Sequence, residues 1–103
     1  MAFIKLAETD EIKSGKMQRY TANGKRILIC HVDNEYFAVD DTCTHEDASL
    51  YLGALHGDIV KCSLHGGKFN VRTGAPVEEP ACTPLHTYAL EVRDDGIYVD
   101  VGS

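Results

Sequence analysis

Residues 17–39 read MQRYTANGKRILICHVDNEYFAV, and the fold class follows from how this stretch punctuates itself. Met17–Thr21 and Lys25–Val32 flank Asn23-Gly24, a dipeptide that tolerates positive φ at both central positions of a tight hairpin. Asp33-Asn34 then turns the chain into Glu35–Val39, where Tyr36, Phe37 and Val39 suit a pleated surface. Outward from this core the same grammar repeats. Phe3–Ala7 reads as a first strand, and Glu8–Ser14 has room for one helical turn before Gly15 stops it. Gly53 and Gly57 bracket a turn ahead of a strand at Asp58–Lys61, and Lys68–Val71 runs into a turn at Thr73-Gly74. A proline-bearing loop is expected from Pro76 through Pro80 to Pro84. Thr87–Arg93 and Ile97–Val101 form a last hairpin around Asp94-Asp95-Gly96. Many short strands without long helical periodicity predict an all-β, antiparallel sandwich or small barrel.

Size and charge narrow the function. A chain of 103 residues supports one domain, residues 1–103, since halving it would leave neither part enough interior. A net charge of -6 offers no basic patch for phosphate, so nucleic acid is not an expected partner. Acidic surface instead favours encounter with basic faces of other proteins. The longest apolar run, near Ile27–Cys30, is far short of a membrane span, and Met1-Ala2-Phe3-Ile4-Lys5 lacks the features of a signal peptide. The expectation is a cytoplasmic protein with no membrane partner.

Chemistry concentrates in two short pairs. Cys43-Thr44-His45 and Cys62-Ser63-Leu64-His65 are separated by sixteen residues, and each offers one thiolate and one imidazole. Thiolate and imidazole together suit zinc or iron–sulfur chemistry. Two cysteines and two histidines can fill a tetrahedral zinc site. They can equally hold a pair of irons with sulfur on one and nitrogen on the other. Pairs spaced in this way favour metal over disulfide. A zinc-stabilised interaction module and an electron carrier therefore stand side by side at this point.

The surrounding residues carry a resemblance. Cys43-Thr44-His45, then Cys62-Ser63-Leu64-His65-Gly66-Gly67, Phe69 and the Thr73-Gly74 turn resemble the cluster-binding segments of the Rieske family, over nearly the whole chain. Together with its length, the Tyr36-Phe37-Ala38-Val39 strand and the proline loop, the chain resembles the small ferredoxins of bacterial aromatic-ring-hydroxylating dioxygenases. The resemblance implies a Rieske (ISP-type) antiparallel β-sandwich with a small cluster-binding subdomain, its loops around residues 43–50 and 62–69. It implies one 2Fe-2S cluster, with Cys43 and Cys62 on one iron and His45 and His65 on the other. It further implies a non-enzymatic carrier passing single electrons from an NAD(P)H-dependent flavin reductase to a terminal oxygenase. The Rieske small subunit of assimilatory nitrite reductase and a monooxygenase ferredoxin are the alternatives within the family. Glu46 departs from the glycine usual in such ferredoxins directly after the first histidine.

The subtype is also implied. Respiratory members add a cysteine to each ligand loop, whereas Ala48 and Leu64 occupy those places here, so no bridging disulfide is expected. Those members also carry a serine and a tyrosine whose hydroxyls donate to cluster and cysteine sulfur. Gly67 and Phe69 stand there in this chain and have no hydroxyl. Hydrogen bonds to sulfur stabilise the more negative reduced state, so a potential toward the low end of the Rieske range is expected.

The other chemistry-bearing residues have ordinary readings. Cys30, in a predicted strand, reads as a small buried hydrophobe, and Cys82 lies too far from the ligand pairs for ligation. His31, His56 and His86 read as structural or solvated. Leu64 and Pro80 are expected to form an apolar rim, with Glu46, Asp47, Glu78 and Glu79 as an acidic collar facing a partner. Neither a phosphate-binding glycine loop nor a dinucleotide fingerprint is present, so the chain is not expected to take hydride electrons by itself, and a separate flavin-bearing reductase is what the family resemblance implies.

Overall fold

The computed structural model describes residues 2–44, 48–64, 66–79, 81 and 83–102. In chain order its elements are β1 (Phe3–Ala7), β2 (Met17–Ala22), β3 (Lys25–Val32), β4 (Glu35–Asp40), a 3-10 turn (Leu50–Leu52), β5 (Ala54–His56), β6 (Ile59–Lys61), β7 (Lys68–Asn70), β8 (Pro76–Glu78), β9 (Thr87–Tyr88), β10 (Leu90–Arg93) and β11 (Gly96–Asp100). Asn23 and Gly24 take φ of 52° and 72°, the pair of positive values that a two-residue hairpin with native twist requires. Around them β2 and β3 pair in register from Met17↔Cys30 to Ala22↔Lys25.

Three antiparallel sheets result, in the orders β1-β11-β10, β2-β3-β4-β9 and β5-β6-β7-β8. The second is the middle layer, which explains the unbroken apolar run at Ile27–Cys30. Ile27 and Ile29 pack with Ala7, Ala38, Ile97 and Val99 on one side. Leu28, Cys30 and Val32 pack with Val39, Val60, Phe69 and Val71 on the other. A strand covered on both faces has no polar face to alternate with. The third sheet is thus a small subdomain laid on the outer face of a sandwich, and Cys43 and Cys62, one from each candidate ligand pair, belong to its buried seam.

Several expectations need correction. Glu8–Ser14 forms turns and bends rather than a helical turn, with Glu11 N–H reaching only Glu8 O at 3.2 Å. The Gly53–Gly57 segment holds a strand, β5, whose three residues pair with β6. The start of the expected proline loop is also a strand, β8, paired to β7 at the sheet edge. Proline is tolerated there because the first residue of an edge strand need not donate to a neighbour. The expected strand Thr87–Arg93 is broken at Ala89. Its first part pairs with β4 through Ala38↔Tyr88 and Val39↔Thr87, and its second with β11 from Leu90↔Val99 to Arg93↔Gly96. One continuous segment therefore passes from the middle sheet to the outer one and closes the sandwich at its side.

Candidate functional site

Both candidate ligand cysteines stand where a short antiparallel ladder ends. In the second segment the β6–β7 register, Val60↔Phe69 and Lys61↔Lys68, is extended by Cys62 N–H donating to Gly67 O at 2.8 Å. In the first, Leu50 N–H donates to Asp41 O at 2.6 Å, Thr42 bridges Ser49, and Cys43 N–H donates to Ala48 O at 2.9 Å. Each cysteine is thus the closing residue of a hairpin, with four residues of sequence, 44–47 and 63–66, beyond it. A side chain at such a closing position is held by the sheet, which gives it a fixed direction that a free loop would not.

The two thiols share one apolar environment. Cys43 is 4% exposed and Cys62 1%, and both lie in the cluster that contains Leu50, Val60, Phe69 and Ala81. Cys43 is not in a disulfide. His45 and His65 lie outside the described residues, as do Glu46, Asp47, Pro80 and Cys82. Among the described residues no three donors of metal-binding type converge, as expected when half of the predicted ligand set is not among them. What is described fits a sulfur-ligated metal centre: two soft donors, dry, and each at the base of its own turn.

The walls of the site come from three directions. Thr44 Oγ1–H donates to Thr83 O at 2.7 Å and ties the first ligand segment to the chain after β8. Gly67 lies so close to that chain that a methyl group on it would meet Ala81 N at 3.0 Å. Behind the first segment, Asp41 is fully buried and accepts from Ser49 Oγ–H at 2.5 Å and Tyr51 N–H at 2.9 Å. Ser49 Oγ accepts in turn from Arg19 Nη1–H at 2.8 Å, and the Arg19 guanidinium lies 5.2 Å from the Tyr51 ring centre. Sequence reasoning missed Asp41, Ser49 and Arg19. The available signal was a carboxylate two residues before a ligand cysteine and a serine shortly after it, a pattern suited to side chain-to-backbone bonds around a turn.

Leu64 is 48% exposed beside the second cysteine, in keeping with an apolar rim. In the acidic collar, Glu78 pairs with Lys68 Nζ at 2.8 Å, and this hydrogen bond holds its carboxyl below the usual range, so its charge is partly balanced. Cys30 is fully buried, as expected, and burial, aided by the charge of Asp41, pushes its thiol up to about 12. His31 Nδ1 lies 2.8 Å from Ile12 O with its ring stacked on Tyr36, while His86 meets Tyr88 edge-on and His56 ends β5 on the surface.

Comparison with known proteins agrees in sequence and in shape. The family described as Rieske [2Fe-2S] domain matches residues 2–89. The chain is 41% identical over 101 residues to the ferredoxin component of biphenyl 2,3-dioxygenase from Rhodococcus jostii (strain RHA1), covering 98% of this chain and 94% of that one. It is 41% identical to the biphenyl dioxygenase ferredoxin subunit of Pseudomonas sp. (strain KKS102), covering 97% and 93%. A chain in the complex of reduced oxygenase and oxidized ferredoxin in carbazole 1,9a-dioxygenase superposes with a TM-score of 0.90 at 36% identity, covering 94% and 91%.

Proposed function

The chain belongs to the Rieske [2Fe-2S] domain family, and from that premise we propose that it carries single electrons from an NAD(P)H-dependent flavin reductase to a terminal aromatic-ring-hydroxylating dioxygenase. It is an electron-transfer ferredoxin with one Rieske-type 2Fe-2S cluster, and not itself a catalyst. The observation that carries the proposal is the placement of Cys43 and Cys62 as closing residues of two hairpins within one dry seam. Cys43 and Cys62 would hold one iron through sulfur, with His45 and His65 holding the other, on loops 43–50 and 62–69 of one domain spanning residues 1–103. When bound, the cluster supplies the one-electron redox couple.

The remaining tasks fall to this chain. The ladders ending at Cys43 and Cys62 orient the sulfur donors. Phe69, Leu50 and Val60 exclude water behind them. Exposed Leu64 gives the tip an apolar contact small enough for a partner to bind and leave. The dioxygenase pathway is favoured over nitrite reductase or a monooxygenase by the near-complete coverage of dioxygenase ferredoxins at 41% identity. A cytoplasmic site of action belongs to the same proposal, in keeping with the free thiol of Cys30, since a reducing compartment keeps thiols unpaired.

Anaerobic purification with iron, acid-labile sulfide, optical and EPR measurement on one sample tests the cluster. Reconstitution with a flavin reductase and a ring-hydroxylating oxygenase tests the pathway. Colourless protein with zinc and no sulfide would rule out the carrier, and cluster-loaded protein that cannot couple the two enzymes would rule out the partners.

A further inference from the structure

A fully buried carboxylate is costly unless each of its oxygens finds a donor. Asp41 meets that condition through one directed line of bonds. Its Oδ1 accepts from Tyr51 N–H, and its Oδ2 accepts from Ser49 Oγ–H. Because Arg19 Nη1–H donates to Ser49 Oγ, the serine's own proton is left for Asp41. Both carboxylate oxygens are thus acceptors, and the line runs cation, hydroxyl, anion: an ion pair with a serine between its ends. The backbone repeats the grip, since Asp41 O accepts from Leu50 N–H and Asp41 N–H donates to Arg26 O. Asp41 therefore gathers residues 49, 50 and 51 and fixes the return limb of the first ligand segment. Its charge also reaches the seam that holds the ligand cysteines. Cys30, in the same buried cluster as Cys43 and Cys62, is pushed up first by burial and second by Asp41.

We propose that Asp41, balanced by Arg19 through Ser49, is a positioning residue that sets the reduction potential of the centre. It orients the first ligand segment, and it places a fixed negative charge behind that segment which disfavours an added electron. The inference rests on the cluster assignment made above. It has a signature that a merely structural brace lacks. Removing the anion and removing the cation each weaken the brace, yet they move the local charge in opposite directions.

The test compares Asp41→Asn and Arg19→Gln with the wild-type holoprotein. Iron and sulfide content, visible circular dichroism and midpoint potential by protein-film voltammetry are measured on each. Asp41→Asn is expected to shift the reduction equilibrium about tenfold toward the reduced form, about 59 mV upward for one electron. Arg19→Gln is expected to shift it the other way by about threefold, less because this arginine is exposed and screened. Shifts of the same sign in both variants, or an Asp41→Asn potential indistinguishable from wild type, overturn the proposal. Where Asp41→Asn fails to load its cluster, the sign for Arg19→Gln decides, and an unchanged or raised potential overturns it. Wild-type protein without sulfide would instead overturn the cluster assignment, a separate outcome read on a separate sample.

Discussion

Gly53 lies directly against the carbonyl of Lys61: a methyl group on it would stand 1.9 Å from Lys61 O and 3.2 Å from Leu50 O. Lys61 immediately precedes Cys62, and Gly53 closes the 3-10 turn that follows the first ligand segment. The two halves of the site are therefore pressed together, backbone to backbone, at a point that no side chain can share.

Gly53→Ala is accordingly expected to separate the two segments. The obstacle is backbone, so a neighbouring rotamer cannot relieve it. Overpacking of this kind costs about 1–3 kcal/mol or more, which in a domain of this size lowers Tm by about 4–8 °C per kcal/mol. Differential scanning calorimetry checks the loss of stability, and iron content checks the expected fall in cluster occupancy.

The cysteines divide by role. Cys43→Ser and Cys62→Ser are expected to abolish cluster loading, because each removes a sulfur donor from a closing position that no other residue occupies. Cys30→Ala leaves the ligand set untouched and is expected to load normally. Iron and sulfide analysis of the three variants separates them.

Phe69 is fully buried in the cluster that contains Cys43 and Cys62, so Phe69→Tyr brings a hydroxyl into that seam. Donation to sulfur favours the reduced state, and the midpoint potential is expected to rise. Gly67→Ser is a poorer route to the same end. Its Cβ would meet Ala81 N at 3.0 Å and Ala81 Cβ at 3.1 Å, so the serine must first push back the chain after β8. Voltammetry paired with thermal melts should show a raised potential at nearly unchanged Tm for the tyrosine, and a lowered Tm for the serine.

Cys30 imposes an alkaline limit on stability. Its thiol is pushed from an ordinary 9.0 up to about 12 by burial first and Asp41 second. As pH passes the unfolded value the unfolded chain loses this proton while the native chain keeps it. The native state then binds more protons, and stability falls with rising pH. The limiting slope is about 1.4 kcal/mol per pH unit for one group. Tyr20 and Tyr88 are also raised, chiefly by burial, and add a fall of the same sign above pH about 10. Urea unfolding between about pH 9 and 10 should therefore show a decline that is smaller in Cys30→Ala.

Arg72 joins the ligand subdomain to the middle sheet. It pairs with Glu35 at 3.0 Å, Asp58 at 3.4 Å and Asp33 at 3.7 Å, and its guanidinium lies 4.8 Å from the Phe37 ring centre. Arg72→Met keeps much of the stacking and removes the charge. Its Tm is expected to fall at low ionic strength, and the difference from wild type should shrink as salt screens the exposed pairs. A difference independent of salt would assign the role of Arg72 to packing.

What could be read from the chain and what could not divide along a physical line. Strands announced by their own turns, such as those around Asn23-Gly24 and Asp33-Asn34, were legible because positive φ is a local demand that few residues meet. The candidate pairs Cys43/His45 and Cys62/His65 stood out in the sequence because soft donors are rare and their spacing is covalent, and the described structure sets Cys43 and Cys62 in one buried seam. The strands Ala54–His56 and Pro76–Glu78 were not, since three residues carry no period and become strand only by having a partner to bond. The break at Ala89 was hidden because Thr87–Arg93 alternates polar and apolar residues as one strand would, and only the two sheets that receive its halves differ. Asp41 in the sequence is one acid among sixteen acidic residues. Its burial, its directed tie to Arg19 and the pressing of Gly53 onto Lys61 exist only once distant segments are folded together, since a residue's solvent and neighbours are properties of the packed molecule.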